Sequence, residues 1–140
     1  MVREIPDSHR DLVDEPVHAV LTTMMPDGQP QSSLVWCDYD GTHVRVNTTR
    51  ERQKGRNMQA NPKVSLLVID LYDSGRWLEV RGRVEITEDG ALEHLDKLTR
   101  QYTNKPCYYG HIFPEEQRDK ETRIICKIKP TKVNRNAIHS

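Results

Sequence analysis

The chain has 140 residues, and its 21 Lys and Arg balance 21 Asp and Glu, so no whole-molecule field draws it to nucleic acid or an anionic membrane. Apolar residues make up 35% and charged residues 30%, thin for one chain to bury alone and leaving a partner surface something to contribute. That length suits a single domain over residues 1–140, and no apolar run nears the roughly eighteen residues of a membrane span.

The elements follow one another with few ambiguities of period. Pro6–Glu15 predicts a short helix anchored by Leu12 and Val13 and stopped by Pro16. Val17–Met24 predicts a strand, Pro26-Asp27-Gly28 a turn, Gln31–Tyr39 a second strand, Asp40-Gly41 a tight turn and His43–Thr48 a third strand, together an antiparallel meander. Alternation along the second strand sends Gln31, Ser33, Val35 and Cys37 to one face and Ser32, Leu34, Trp36 and Asp38 to the other.

The next stretch carries four cations, Arg50, Arg52, Lys54 and Arg56, within seven residues. Thr48 and Glu51 have the spacing of a capping box, so a helix is expected to start near Thr48 and to run to Asn61-Pro62. A helix start exposes unpaired N–H groups at the positive end of its dipole, and cations crowded there oppose that dipole. A phosphate or carboxylate would relieve the conflict, and a cluster this local suits a small anion better than a polymer. The alternative is a solvated face on which Glu51 and water screen the charges.

Lys63–Asp70 is apolar enough for the middle of a sheet, Ser74-Gly75 predicts a turn, and Arg76–Ile86 alternates strictly. One face of that strand has Leu78, Val80, Gly82, Val84 and Ile86; the other has Glu79, Arg81 and Arg83 with a lone Trp77. A helix beginning at Thr87-Glu88-Asp89 carries Ala91, Leu92, Leu95, Leu98 and Tyr102 as a core-facing stripe. Thr103–Glu121 has no period and is expected to be a mobile segment bordering a pocket, with Tyr108, Tyr109 and His111 in it. Thr122–Val133 closes the chain as a strand. Six short strands with one helix inserted between the third and fourth predict a small antiparallel barrel, because closure removes exposed edges.

Cys37, Cys107 and Cys126 are widely spaced and form no C-x-x-C pair, which fits reduced thiols in a cytoplasm; no secretory leader is expected. The six histidines show no zinc-ligand spacing, and no metal is expected.

Three blocks resemble a known family: Asp27-Gly28-Gln29-Pro30-Gln31-Ser32-Ser33-Leu34-Val35-Trp36; Val46-Asn47-Thr48-Thr49 through Arg52, Lys54 and Asn57 to Asn61-Pro62-Lys63-Val64-Ser65-Leu66; and Arg76-Trp77-Leu78-Glu79-Val80-Arg81-Gly82-Arg83-Val84-Glu85. With Lys127–Val133 they resemble the split β-barrel flavin and deazaflavin oxidoreductases related to pyridoxamine 5′-phosphate oxidase, within them the branch using the deazaflavin coenzyme F420. The resemblance implies a six-stranded FMN-binding split barrel, mainly β with helices, working as a cytoplasmic homodimer with two coenzyme sites at its interface. It places the coenzyme tail on Arg52, Lys54 and Asn57 beside Thr48 and Thr49, and the ring along the strand of Ser33, Val35 and Trp36. Trp77 resembles a position reaching the partner subunit's site. Trp36 and Trp77 equally suit plain core or interface packing. Asn134-Arg135-Asn136 matches poorly the basic residues with which the oxidases hold a substrate phosphate, so that activity is not expected. The implied function is hydride transfer from reduced coenzyme F420 to an electron-poor small molecule; the alternatives are an FMN-dependent oxidase or reductase of the same fold, or a non-catalytic coenzyme carrier.

Overall fold

A computed structural model describes residues 4–136. Among them are seven strands: β1 Ala19–Met24, β2 Pro30–Val35, β3 Cys37–Tyr39, β4 Val44–Thr49, β5 Lys63–Asp70, β6 Asp73–Thr87 and β7 Arg123–Arg135. The helices are α1 Asp11–Asp14, α2 Gln53–Ala60 and α3 Ala91–Thr103, with 3-10 turns at Asp7–His9 and Glu115–Lys120. All strand pairs are antiparallel, in the order β2-β1-β5-β6-β7-β4-β3.

That order explains why the sheet curls into the half-barrel of a split barrel. Its two edges, β2 and β3, are consecutive in the chain with only Trp36 between them, so the sheet bends round until its ends meet. Six strands were expected, with Gln31–Tyr39 as one of them; the chain instead breaks at Trp36 and makes seven. The cause lies in α3. The Tyr102 hydroxyl accepts the Cys37 N–H at 3.1 Å and donates to the Val17 carbonyl at 2.9 Å, so a side chain satisfies backbone groups that a continued strand would have paired.

Inside the curl, Leu21, Val44, Val46, Leu66, Val68, Leu78, Val80, Ile124 and Ile128 are all within 1% of full burial, Leu78 and Val80 from the face of β6 that alternation marked as apolar. Each such side chain contributes about 1.5–3 kcal/mol relative to exposure. Leu12 and Val13 of α1 close one end. Cys37 and Cys126 belong to this core, and burial pushes both thiols up to about 12. No helix among the described residues is long and apolar enough to cross a membrane.

Three local expectations are corrected. The β5–β6 hairpin turns at Leu71-Tyr72 rather than Ser74-Gly75, because the Asp70 carboxylate captures the Tyr72 N–H at 2.9 Å and folds the chain back early. The capping box of Thr48 and Glu51 does not form. Pairing with β7 carries β4 through Thr49, so α2 starts at Gln53, with Thr49 Oγ1 accepting the Arg52 N–H at 3.1 Å and the Glu51 carboxylate accepting the Thr122 N–H at 2.7 Å. Leu92 is only half-buried; His94 and Thr99 join Ala91, Leu95 and Leu98 on the buried side of α3.

Gly55 sets the position of α2. A Cβ there would collide with the Thr49 carbonyl oxygen, so only glycine lets the helix start rest against the end of β4.

Candidate functional site

Where the barrel seam, the start of α2 and the loop after α3 converge, a cavity of about 390 Å³ opens. One half is apolar and aromatic. Val35 and Trp36 come to it from the seam and Leu95 and Leu98 from α3. Trp36 stacks on Tyr102 with ring centroids 5.3 Å apart and planes 15° from parallel, while Tyr108 meets Trp36 edge-on at 6.4 Å. His18 stands at the rim, edge-on to Tyr102 at 5.4 Å.

The other half is cationic: Arg52, Lys54 and Arg123. Arg123, 9% exposed, is fixed on every side. Its Nε donates to the Tyr109 hydroxyl at 2.9 Å, its Nη1 to Asn47 Oδ1 at 3.3 Å and its Nη2 to Glu121 at 3.4 Å, and its guanidinium lies 4.7 Å from the Tyr108 ring centroid. Arg52 reaches the other oxygen of Glu121 at 3.4 Å. Tyr109 donates to that carboxylate at 2.5 Å, and burial, reinforced by this bond, pushes its phenol upward. Lys54 has no hydrogen bond or ion pair among the described residues. Burial and, after it, the charges of Arg52 and Arg123 push its ammonium below the usual lysine value. Two of the three cations therefore share one carboxylate, and Lys54 is left over. Such a wall is complementary to an anion.

The residues singled out from sequence separate into two groups here. Val35, Trp36, Arg52 and Lys54 meet at the cavity. Thr49 lies beneath it, holding the Arg52 N–H. Ser33 sits on the same face of β2 as Val35, its hydroxyl buried and without a partner among the described residues; the same holds for Thr48 Oγ1, on the face of β4 that carries Val44 and Val46 into the core. Asn57 lies elsewhere. It is 2% exposed, its amide donates to Thr23 Oγ1 at 3.1 Å and accepts from Gln53 at 2.7 Å, and it borders a separate hollow between α2 and Met24–Pro26. Trp77 stands on the outer face of β6, in a shallow groove with Val20, Leu67 and Ile69.

Asn47, Arg123 and His18 line the cavity and were not singled out from sequence. Asn47 stands inside the second resemblance block. Arg123 carried no signal of its own in a strand that also bears Lys127, Lys129 and Lys132.

A model of the pyridoxamine 5′-phosphate oxidase family matches residues 5–136. The chain belongs to that family. Its seven-stranded half-barrel superposes on a solved F420 reductase with a TM-score of 0.79 and 37% identity, covering 93% of this chain and 98% of that one. A conserved hypothetical protein of Mycobacterium tuberculosis shares the fold, with a TM-score of 0.71 at 24% identity over 96% of this chain and 85% of that one. A pyridoxine/pyridoxamine 5′-phosphate oxidase of Mycolicibacterium paratuberculosis is 34% identical over 91 residues, an alignment taking in 61% of this chain and 41% of that protein's length. The family's fold is that of flavin- and deazaflavin-type oxidoreductases, and the cavity's two halves suit such coenzymes: an aromatic slot for a fused ring and a cationic wall for an anionic tail.

Proposed function

We propose that the chain is a coenzyme F420-dependent oxidoreductase that delivers a hydride to an electron-poor small molecule such as a quinone, an enone or a tetrapyrrole-like compound. The observation that carries this reading is the meeting of the seam at Trp36 with Arg52, Lys54 and Arg123 in one cavity. Identity of 37% across 98% of an F420 reductase supports it. When bound, the deazaflavin supplies the hydride chemistry. The chain's own residues do the rest: backbone groups near Ser33–Trp36 would hold the ring edge, Lys54 and Arg52 would neutralise the tail, and Tyr108, Leu95 and Leu98 exclude water from the slot. The residues fit the group on one further count, since Ser33 Oγ is a buried hydroxyl with no partner among the described residues.

A second reading, an FMN-dependent enzyme of the same fold, draws on the 34% identity to the oxidase. Equilibrium binding of coenzyme F420 and FMN to the purified protein, side by side, separates the two. Tighter F420 binding is expected, together with transfer of deuterium from coenzyme labelled at its reactive carbon into the reduced acceptor. Label appearing only in solvent, or turnover with FMN alone, transfers the assignment to FMN. F420 binding without turnover on any acceptor makes the protein a carrier.

The same reading includes a homodimer. Trp77, Ile69 at 44% exposure and Leu34 at 67% lie on the outer side of the sheet, apolar surface that a second copy would cover. Light scattering is expected to give twice the 16.3 kDa chain mass; the single-chain mass at micromolar concentration removes the dimer from the proposal.

A further inference from the structure

Behind the cavity wall runs a chain of polar groups whose donors and acceptors can be assigned by chemistry alone. It starts at Asp38 of β3, 2% exposed, whose two oxygens accept Arg45 Nε at 2.9 Å, Arg45 Nη2 at 2.8 Å, Lys97 Nζ at 2.7 Å and His94 Nε2 at 3.2 Å. Burial pushes this carboxyl up, but the donors from His94, Arg45 and Lys97 outweigh burial and hold it well below the usual range, so it acts only as an acceptor. His94 Nε2 must therefore carry a hydrogen.

At the far end, Asn47 is equally constrained. Its Nδ2 lies 2.8 Å from the Ala91 carbonyl and its Oδ1 lies 3.3 Å from Arg123 Nη1. A flipped amide would set oxygen against oxygen and nitrogen against guanidinium, so the amide has one orientation only. Its second N–H then points at His94 Nδ1, 3.2 Å away, which must offer a lone pair. The pattern closes only when His94 is neutral and protonated on Nε2. A proton added at Nδ1 would face the Asn47 donor, and relieving that clash by turning the amide would take the acceptor away from Arg123.

We propose that His94 is a positioning residue for the cavity: neutral, it locks Asn47 with its carbonyl toward Arg123 and so supplies one of the bonds that orient that guanidinium in the wall, and its protonation releases Asn47 and withdraws that bond. The consequence for coenzyme affinity rests on the proposed function above; the linkage within the protein does not. The groups that bear on His94 are Asp38 from β3, Arg45 and Asn47 from β4, Lys97 from its own helix, and from β7 Arg123 through Asn47 and Lys127 as the cross-strand neighbour of Arg45.

The test is a nitrogen-15 NMR titration of the full chain, following the His94 ring nitrogens, the Asn47 side-chain amide and Arg123 Nε–H. The linkage predicts the Nε2–H tautomer at neutral pH and one common midpoint for all three signals on acidification. His94→Gln supplies one donor and one acceptor without titrating, and should hold the Asn47 and Arg123 signals at their neutral positions throughout. His94→Leu should place them near their acid positions at every pH. In Asn47→Leu the Arg123 signal should stop following His94. Signals of Asn47 and Arg123 that ignore the His94 midpoint, an Arg123 signal that still follows it in Asn47→Leu, or His94→Gln behaving as His94→Leu each overturn the proposal. If His94→Leu does not fold, the other arms decide. On binding, coenzyme F420 affinity should fall five- to tenfold in His94→Leu and stay within twofold in His94→Gln. If neither F420 nor FMN binds the unaltered protein, the proposed function fails while the titration still judges the linkage.

Discussion

Two charge clusters are linked through His94 and Asn47, one on β3, β4 and α3 and the other on β7, the start of α2 and the loop after α3, and each brings several cations to one carboxylate. Around Asp38 the match is complete: Arg45 donates two bonds, and Lys97 and His94 one each, so all four acceptor positions of one carboxylate are filled. Around Glu121 it is incomplete: Arg52 and Arg123 reach it only at 3.4 Å, a Tyr109 bond competes for it, and Lys54 has no share. The first cluster saturates its buried carboxylate, with Lys97 reaching it from the surface, while the second opens into a cavity. What the difference teaches is that saturation, more than burial or charge count, separates a charge cluster that holds a fold together from one that awaits a ligand.

The largest test of that distinction is Asp38→Ala. Removing that acceptor leaves the Arg45 charge uncompensated and the buried His94 Nε2–H without a partner, and breaking a buried pair in this way costs about 3–5 kcal/mol of stability, read by urea denaturation. Lys54→Ala should do the reverse. It removes a half-buried cation without a counter-ion, so the denaturation midpoint should stay or rise while coenzyme affinity falls about ten- to a hundredfold, about 1.4–2.7 kcal/mol by titration at fixed salt. Equal losses of stability from the two substitutions would erase the comparison.

Glu121→Gln sharpens it. The second cluster loses its internal anion, so affinity for an anionic coenzyme should rise a few-fold, with a small loss of stability where Tyr109 and Arg123 lose a charged acceptor. The smallest effects appear in pH dependence. Asp38 has a depressed folded pKa, so its stabilisation is present above the ordinary carboxylate range and is lost as pH falls through the lower folded value, a loss seen as a decline in denaturation midpoint on acidification. Lys54 has a depressed pKa with the opposite charge. Unfolding binds a proton there, so stability rises with pH through that region, and coenzyme affinity should begin to fall below the pH at which an exposed lysine would lose its charge.

Much of the fold was legible because it is written in short range. Period-two alternation identified the inward face of β6, and the run from Arg50 to Arg56 drew attention to the start of α2 without any tertiary information. What escaped was set from a distance. The break at Trp36 depends on Tyr102, 65 residues beyond Cys37. Asn57 looks in sequence like part of the same surface as Arg52 and Lys54, yet α2 turns it inward to Thr23, 34 residues earlier. Arg123 and Asn47 stand on neighbouring strands, β7 and β4, whose pairing brings together residues 76 apart in the chain. The hairpin at Leu71-Tyr72 escaped for a different reason: Asp70 captured the turn before the glycine two residues past Asp73 could.

The Tyr102 hydroxyl gives the barrel a fastening that a ladder of strands lacks. Elsewhere an amide of the sheet is released only when two strands part, a cooperative event involving many bonds at once. The amide of Cys37 is held by one phenol on a helix, so a single ring excursion frees it, exposes the seam beside Trp36 and leaves every strand pair intact. Amide exchange at Cys37 is therefore a clock for breathing of the cavity mouth, running faster than exchange at Leu66 or Leu78 in the middle of the sheet.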